Sequence, residues 1–411
     1  MEKLAVLHEK HLETVAGNDA LVSGSKESFA AALRLGLPNR FKDEDWKYTN
    51  IAKLLPDDLS LATDDSKLWQ KEDLNPAFLN LVMLNGRLVH HDILPSGLKI
   101  SVKPEARHAK LASTDGLTAL SNAFLAQTVC IELPENTKLA MPIRLLNLYH
   151  SDTTTALASC RVLINCAKGS ELTVSEVQKN LTDDASITSL LDYDFKVGTN
   201  ARLNYARTQK FAAESGSVDQ TRVAVARDGL FQNTYLALGA KLSRFDLKVS
   251  LDEAGAEAHF NAANLTRKKQ HHDFRSTVHH AVANTRSNQL YKSVLNDQGR
   301  CVFNGKVVIA KKASLVDAGQ LHHSLLLSDA AEVDTKPQMA IDNDDVKCAH
   351  GASIGSLDGD QLFYLVSRGI SPKDAEKILS QGFLVEPLLS YTSGETKESL
   401  RKDLAKAMID V

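Results

Sequence analysis

From about residue 111 to 353 the chain alternates apolar and polar residues in short runs separated by Gly, Asn or Asp. GSELTVSEV from Gly169, NARLNYART from Asn200, DGLFQNTYLAL from Asp228, AKLSRFDLKVSL from Ala240 and AEAHFNAANL from Ala256 are runs of this kind. DFRSTVHHAV from Asp273, NQLYKSVL from Asn288 and RCVFNGKVVI from Arg300 continue the series. A period of two predicts half-buried strands, because successive side chains of a strand point to opposite faces. The turn residues recur about every 25–30 positions, the length of one coil of a β-solenoid. A β-sandwich is the competing arrangement, but over this length it would split into two domains. No Pro/Ser/Gly-rich linker divides residues 160–350. The expected core is therefore one continuous parallel β-helix, each coil burying its face on the next. The exposed strand edges at its two ends need covers.

The flanks change to helical spacing. Lys3–Ala16 and Lys26–Leu35 carry apolar residues on one face, with Ser25 as the expected N-cap of the second stretch and Gly36 and Pro38 ending it. NRFKDEDWKYTNIAKLL follows, in which Trp46 and Tyr48 read as packing anchors. Beyond the strands, Asp360–Ser367 reads as a helix. Ser371–Ser380 is a second, with Ser371 as N-cap, Pro372 at its first position and Gly382 closing it. Ser393–Ile409 places Leu400, Leu404 and Met408 on one face. The expectation is a mainly-β chain with a helical or mixed region over 1–110, a β-helix core over 111–353 and a C-terminal helical domain over 354–411.

Composition narrows the function classes. Forty-eight basic and 51 acidic residues give a net charge of −3, which supplies no footprint for nucleic acid. The N-terminus lacks the apolar core of a signal peptide, and no window approaches the roughly 18 apolar residues of a membrane span. A cytoplasmic location is expected. The five cysteines are widely spaced, with no CxxC pair, which argues against a closed four-cysteine metal site or a disulfide framework. Cys130, Cys160 and Cys166 read as small buried core residues. Serine-hydrolase chemistry and ATP hydrolysis are not expected of this chain, and no GxxxxGK[ST] phosphate loop occurs.

Cys348 and His350 are the candidate ligands. Thiolate and imidazole are the softer side-chain donors available to a transition metal. If Lys347–Ala352 is extended, both side chains project to one face. Two ligands are too few to close a metal site alone, and a partner chain could complete the set. A buried cysteine beside a capping histidine has the same local sequence. Asp342, Asp344 and Asp345 lack the turn glycine and spaced glutamate of a calcium loop and read as a solvated turn. Glu332 and Asp334 alternate on one strand face. The pairs His271–His272, His279–His280 and His322–His323 cannot each clamp one ion, since neighbours in a strand point apart.

WKYT, NGKVVI, DTKPQMAIDNDDVKCAHGA and LFYLVSRGI together resemble the SufB/SufD family of iron–sulfur cluster assembly scaffolds, and most closely its SufD side. The resemblance is most specific over residues 288–383. It implies a right-handed parallel β-helix and a non-catalytic scaffold subunit paired with a SufB-like subunit and SufC-like ABC ATPases, with ATP bound on the ATPase. His350 takes the place of the histidine that faces the SufB-like partner, and Cys348 that of the cysteine two positions before it. The nascent cluster is then transient and shared with the partner, and the isolated chain holds none. The resemblance also implies a partner interface near Asp342, Asp344, Asp345 and Lys347. It implies ATPase docking through the helix bearing Phe363, Tyr364 and Arg368, although a helix that only caps the solenoid reads the same way. Two other readings are a homodimeric β-helical binding module and a polysaccharide-acting β-helix enzyme. The second is disfavoured by an aromatic content of only 6%.

Overall fold

The alternating runs form strands, and the strands wind as a solenoid. The computed structural model describes residues 2–56, 58–62, 68–71, 74–103, 115–152, 155–184 and 186–410. The expected boundary at 110/111 lies outside them. One ten-stranded sheet contains β4 (Lys99–Lys103), β5 (Thr128–Leu133), β7 (Thr155–Cys166), β9 (Ser186–Val197), β11 (Gly216–Val225), β13 (Leu242–Leu251), β15 (His271–His280), β17 (Arg300–Ile309) and β19 (Glu332–Ile341). The short β1 (Ser60–Leu61) joins it beside β7. The other sheet contains β3 (Arg87–His91), β2 (Leu79–Leu84), β6 (Ile143–Tyr149), β8 (Glu171–Asn180), β10 (Arg202–Lys210), β12 (Leu230–Ala237), β14 (Glu257–Thr266), β16 (Arg286–Leu295), β18 (Val316–Leu326) and β20 (Val346–Gly355). From β5 onward the chain alternates between the sheets, one strand in each per coil. Pairing is parallel and in register: Leu242 lies beside His271, and His271 beside Arg300. The mainly-β solenoid with helical flanks is thus the observed architecture.

Every second side chain points inward. The interior is apolar over most of its length, with an aromatic column linking Tyr235, Phe274, Tyr291, Phe303 and His322 at centroid spacings of 4.5–6.0 Å. One charged group interrupts it. Arg207, fully buried, donates through Nε to Glu176 at 2.5 Å and through Nη1 to Asp219.

The two ends differ. At the N-terminal end β3 and β4 pair antiparallel with β2 and β5 and finish both sheets. At the other end the edge strands β19 and β20 are parallel to their neighbours. Like β3 and β4, each has only one neighbour within its sheet and no buried residue.

Helices α1 (Glu2–Thr14), α2 (Asp19–Leu35) and α3 (Gly116–Ala123) pack on the outer face of the first sheet, where Leu4, Leu7, Phe29 and Leu120 meet Leu157, Leu190, Val218 and Leu242. The second helix starts earlier than its expected cap. Asn18 caps α2 by accepting from the Leu21 amide at 3.1 Å, and Leu21 is buried in the first turn. Ser25 is therefore inside the helix, where it donates to the Ala123 carbonyl at 2.6 Å and meets His8 Nε2 at 2.8 Å. Gly36 ends α2 with φ 74°, as expected.

The C-terminal helices are α4 (Gly359–Ser367), α5 (Pro372–Leu389) and α6 (Gly394–Ala407). Ser371 caps α5 and Pro372 opens it. Gly382 does not close it: the helix continues for seven residues, past Pro387. Leu384 and Leu388 are fully buried against Ala263, Leu265 and Val294 of the second sheet, together with Leu400, Leu404 and Met408. That burial outweighs the roughly 1 kcal/mol helix penalty of a glycine. Lys210–Asp403 at 2.8 Å and Lys292–Glu386 add ion pairs across the seam. Among the described residues no helix is long and apolar enough to cross a membrane.

Candidate functional site at the open end of the solenoid

Strand direction decides what the last coil presents. In β18, Ala318, Gln320 and His322 are buried and alternate with the exposed Asp317 and Leu321. Cys348 is the register partner of Ala318, and His350 that of Gln320. Both therefore point to the interior side of β20. No further coil covers them, so the inward face of the terminal coil is an exposed floor. The expected extended conformation of Lys347–Ala352 is observed, and Cys348 and His350 share one face about 6.6 Å apart along the strand.

Their environments differ. Cys348 is half-buried and packs beside Val316, Ala318 and Met339. Burial holds its thiol above the usual range, the Ala318 backbone opposes this, and Asp317 adds to it. Binding a metal there must displace a proton. His350 is exposed. Beneath it lies Gln320, fully buried, with neither end of its amide bonded to any described group. Sequence reading missed this residue. The signal available was an inward-phase glutamine one coil before CxH. Among the described residues no group of three or more His, Cys, Asp or Glu is placed to hold a metal ion.

Asp342, Asp344 and Asp345 form the exposed turn between β19 and β20. Asn343 organises it, donating to the Lys311 carbonyl and accepting from the Asp345 amide. Lys347 points outward from β20, in register with Asp317. Glu332 and Asp334 are both held by Arg300, at 3.3 and 2.6 Å. No two of the six paired histidines stack in register: His271 lies between Leu242 and Arg300, His279 between Ser250 and Val308, and His323 between Lys292 and Ser353. His272, His280 and His322 are buried and hydrogen-bonded, and burial lowers His272 and His280 to about 4 and His322 to about 3. Cys130, Cys160, Cys166 and Cys301 are buried, and burial pushes the last three up to about 12.

The WKYT phrase and the residues before it are clamped along the first sheet from β13 to β19. Trp46 covers the Arg244 guanidinium at 3.7 Å, and Thr49 donates to Asp273 at 2.5 Å. Asp45 pairs with Arg275 at 2.7 Å, and Glu44 with Lys336 of the last strand at 3.2 Å. Trp46 is a packing anchor, as expected, and the acidic residues before it act as ties.

The exposed helix α4 has no buried residue. Phe363 and Tyr364 are 73% and 58% exposed, and Arg368 lies over the Tyr364 ring at 5.3 Å. This apolar surface sits on a helix that contacts α5.

Residues 149–383 match the family described as SUF system FeS cluster assembly, SufBD core domain. An iron–sulfur cluster assembly SufBD family protein of Synechocystis is 30% identical, covering 92% of this chain and 91% of its own. SufD of Escherichia coli is 30% identical, over 86% of this chain and 85% of its own. SufD of Bacillus subtilis is 26% identical, over 93% and 92%. The matched span takes in the fourteen strands from β7 to β20, the open end with Cys348 and His350, and α4. With that span and those relatives, the chain belongs to the SufBD family of iron–sulfur cluster assembly proteins.

Proposed function

We propose that this chain is a SufD-like, non-catalytic scaffold subunit that pairs end to end with a SufB-like subunit and presents His350 to a nascent iron–sulfur cluster held between them. The open terminal coil carries the reading. Strands β19 and β20 offer unpaired edges to another chain. The inward-phase His350 is exposed, and Cys348 only half-buried, because no ninth coil covers them. Burial of the floor by a partner would surround both donors with protein and let partner residues complete the coordination. The turn at Asp342, Asp344 and Asp345, with Lys347, lies at the margin of that interface.

SufC-like ATPases dock on α4 through Phe363, Tyr364 and Arg368. Their ATP-driven closure rotates the two scaffold subunits and opens the shared site. The α5 seam supports this transmission, because Leu384 and Leu388 fix α5 to β14 and β16, the strands next to the last coils. The cluster is cargo, so the isolated chain holds none, and the work is done in the cytoplasm.

The test is co-expression with SufB-like and SufC-like partners, anaerobic isolation, and measurement of iron and sulfide with His350 intact and in His350→Ala. Loss of both from a fully assembled complex is the expected result. Unchanged cluster content would leave this chain as an architectural subunit only. A chain that forms only homodimers in the presence of both partners would overturn the pairing itself.

A further inference from the structure

We infer that Leu315 is an apolar anchor for the SufB-like partner, which carries the docking footprint past the open floor onto the outer corner of the coil before the last; this rests on the end-to-end pairing proposed above. The corner leading from the first sheet to the second holds one residue in the left-handed region in every coil up to the last. Along the solenoid these residues are Asn136, Gly169, Asn200, Asp228, Gly255 and Asn284, with φ between 53° and 77°. Each is of a type that tolerates this conformation. The amide of each donates to the corner of the next coil, so the positions form one ladder. Leu315 is its last member, with φ 55°, and its amide donates to the Asp345 carbonyl of the terminal turn at 2.7 Å. Only there does the ladder carry a large side chain, whose Cβ crowds the backbone in this region.

Burial within the chain does not offset that backbone cost, because Leu315 is 59% exposed. A single exposed leucine is ordinary, but one held in an unfavourable conformation points to function. The surrounding surface identifies the occupant. Among the described residues from 142 to 358, the exposed large apolar side chains are Leu315, Leu321, Ile341 and Ile354, all in the last two coils. Ile341 and Ile354 lie in the inward phase of β19 and β20, in register with the buried Ile309 and Ser324, and so belong to the floor assigned to the partner. Leu315 lies directly below the terminal turn, and one coil is roughly 4.8 Å deep. A chain seated on Ile341 and Ile354 therefore needs to overhang the edge by a single strand spacing to cover it. The local cost of leucine is then recovered on association, where an apolar side chain leaves water.

The experiment compares the full-length chain with Leu315→Asn, which installs the residue found at three of the six earlier corners. Calorimetry gives the unfolding midpoint of each chain alone, and titration with the SufB-like subunit gives its dissociation constant. Leu315→Asn is expected to raise the midpoint by about 1 °C and to weaken association about tenfold or more. Leu315→Met, which keeps an apolar side chain, should retain the wild-type constant. Asn200→Leu, which places a leucine in the same conformation far from the open end, should lower the midpoint and leave association unchanged. Wild-type affinity in Leu315→Asn overturns the inference while the pairing stands, and so does a midpoint below wild type, which would make the leucine a stabilising residue of the single chain. A wild-type chain that binds only itself and not the SufB-like subunit overturns the pairing and the inference together.

Discussion

Replacing Asp219 by asparagine should stabilise this protein at neutral pH, although it removes a charge in contact with a buried arginine. Glu176 and Asp219 share the Arg207 guanidinium inside the solenoid but are not equally served. Glu176 accepts from Tyr193 and Tyr205 at 2.5 and 2.7 Å, from Gln178 at 3.0 Å and from Arg207. Asp219 accepts from Arg207 and from Thr221 at 2.8 Å. Burial would raise both carboxyls. For Glu176 the arginine and the hydroxyl donors more than offset it, and its carboxyl lies below the usual range. For Asp219 burial outweighs Arg207, the Glu176 charge adds to it, and the carboxyl is pushed up to about 6. The folded state thus holds this proton more tightly than the unfolded chain. The associated stability is complete below the unfolded value of about 4 and is lost as pH rises through 6, in total about 3 kcal/mol. Asparagine is a neutral isostere that keeps an acceptor for Arg207 and loses nothing over that window. Urea unfolding of both proteins should show Asp219→Asn ahead by about 1 kcal/mol near pH ~4.5 and about 3 kcal/mol near pH ~7.5. An asparagine variant that is less stable at neutral pH, or a gap that does not widen with pH, would refute the reasoning and make Asp219–Arg207 a net favourable pair.

Other substitutions probe the remaining parts. Arg207→Met strands Glu176, with its oxygens still buried, and should cost about 3–5 kcal/mol in the same assay. Trp46→Ala removes the cover of Arg244 and a nearly buried indole, about 3–5 kcal/mol, and limited proteolysis should then cut residues 39–56 before the solenoid. The pair Phe363→Ala and Tyr364→Ala should leave the unfolding midpoint unchanged, since both rings are exposed, while abolishing co-purification of the ATPase. Retained ATPase would move docking off α4.

How legible the fold was depended on how local its causes are. The strands from Gly169 to Ile309 were readable because a solenoid repeats one physical demand, inward apolar and outward polar, in every coil. The helix ends were not, where tertiary burial decided them. Leu21 and Asn18 drew α2 back past Ser25, and Leu384 and Leu388 carried α5 past Gly382. The same split runs through the site. Cys348 and His350 could be placed on one face from strand alternation alone. That this face is the interior of an uncovered coil depends on which strand is last, and the placing of Gln320 beside His350 depends on a register some 30 residues long. The ties from Glu44 and Asp45 to Lys336 and Arg275 span more than 200 positions and leave no trace in local pattern.

The asymmetry of the two ends is the physical core of the functional reading. A parallel solenoid has no intrinsic stop, and each end strand exposes a row of backbone donors and acceptors. In this chain the edge strands β3 and β4 run antiparallel at one end, and at the other the parallel edges of β19 and β20 are bare. Bareness there is not looseness. Arg300 holds Glu332 and Asp334 of β19, Lys336 of the same strand is tied to Glu44, and Trp46 locks that segment onto Arg244. The edge is therefore pre-ordered before any partner arrives, which lowers the entropic cost of docking on it. A rigid uncovered edge whose inward residues include a thiol and an imidazole has its chemistry unfinished in the single chain, and the partner that finishes the sheets would finish the site as well.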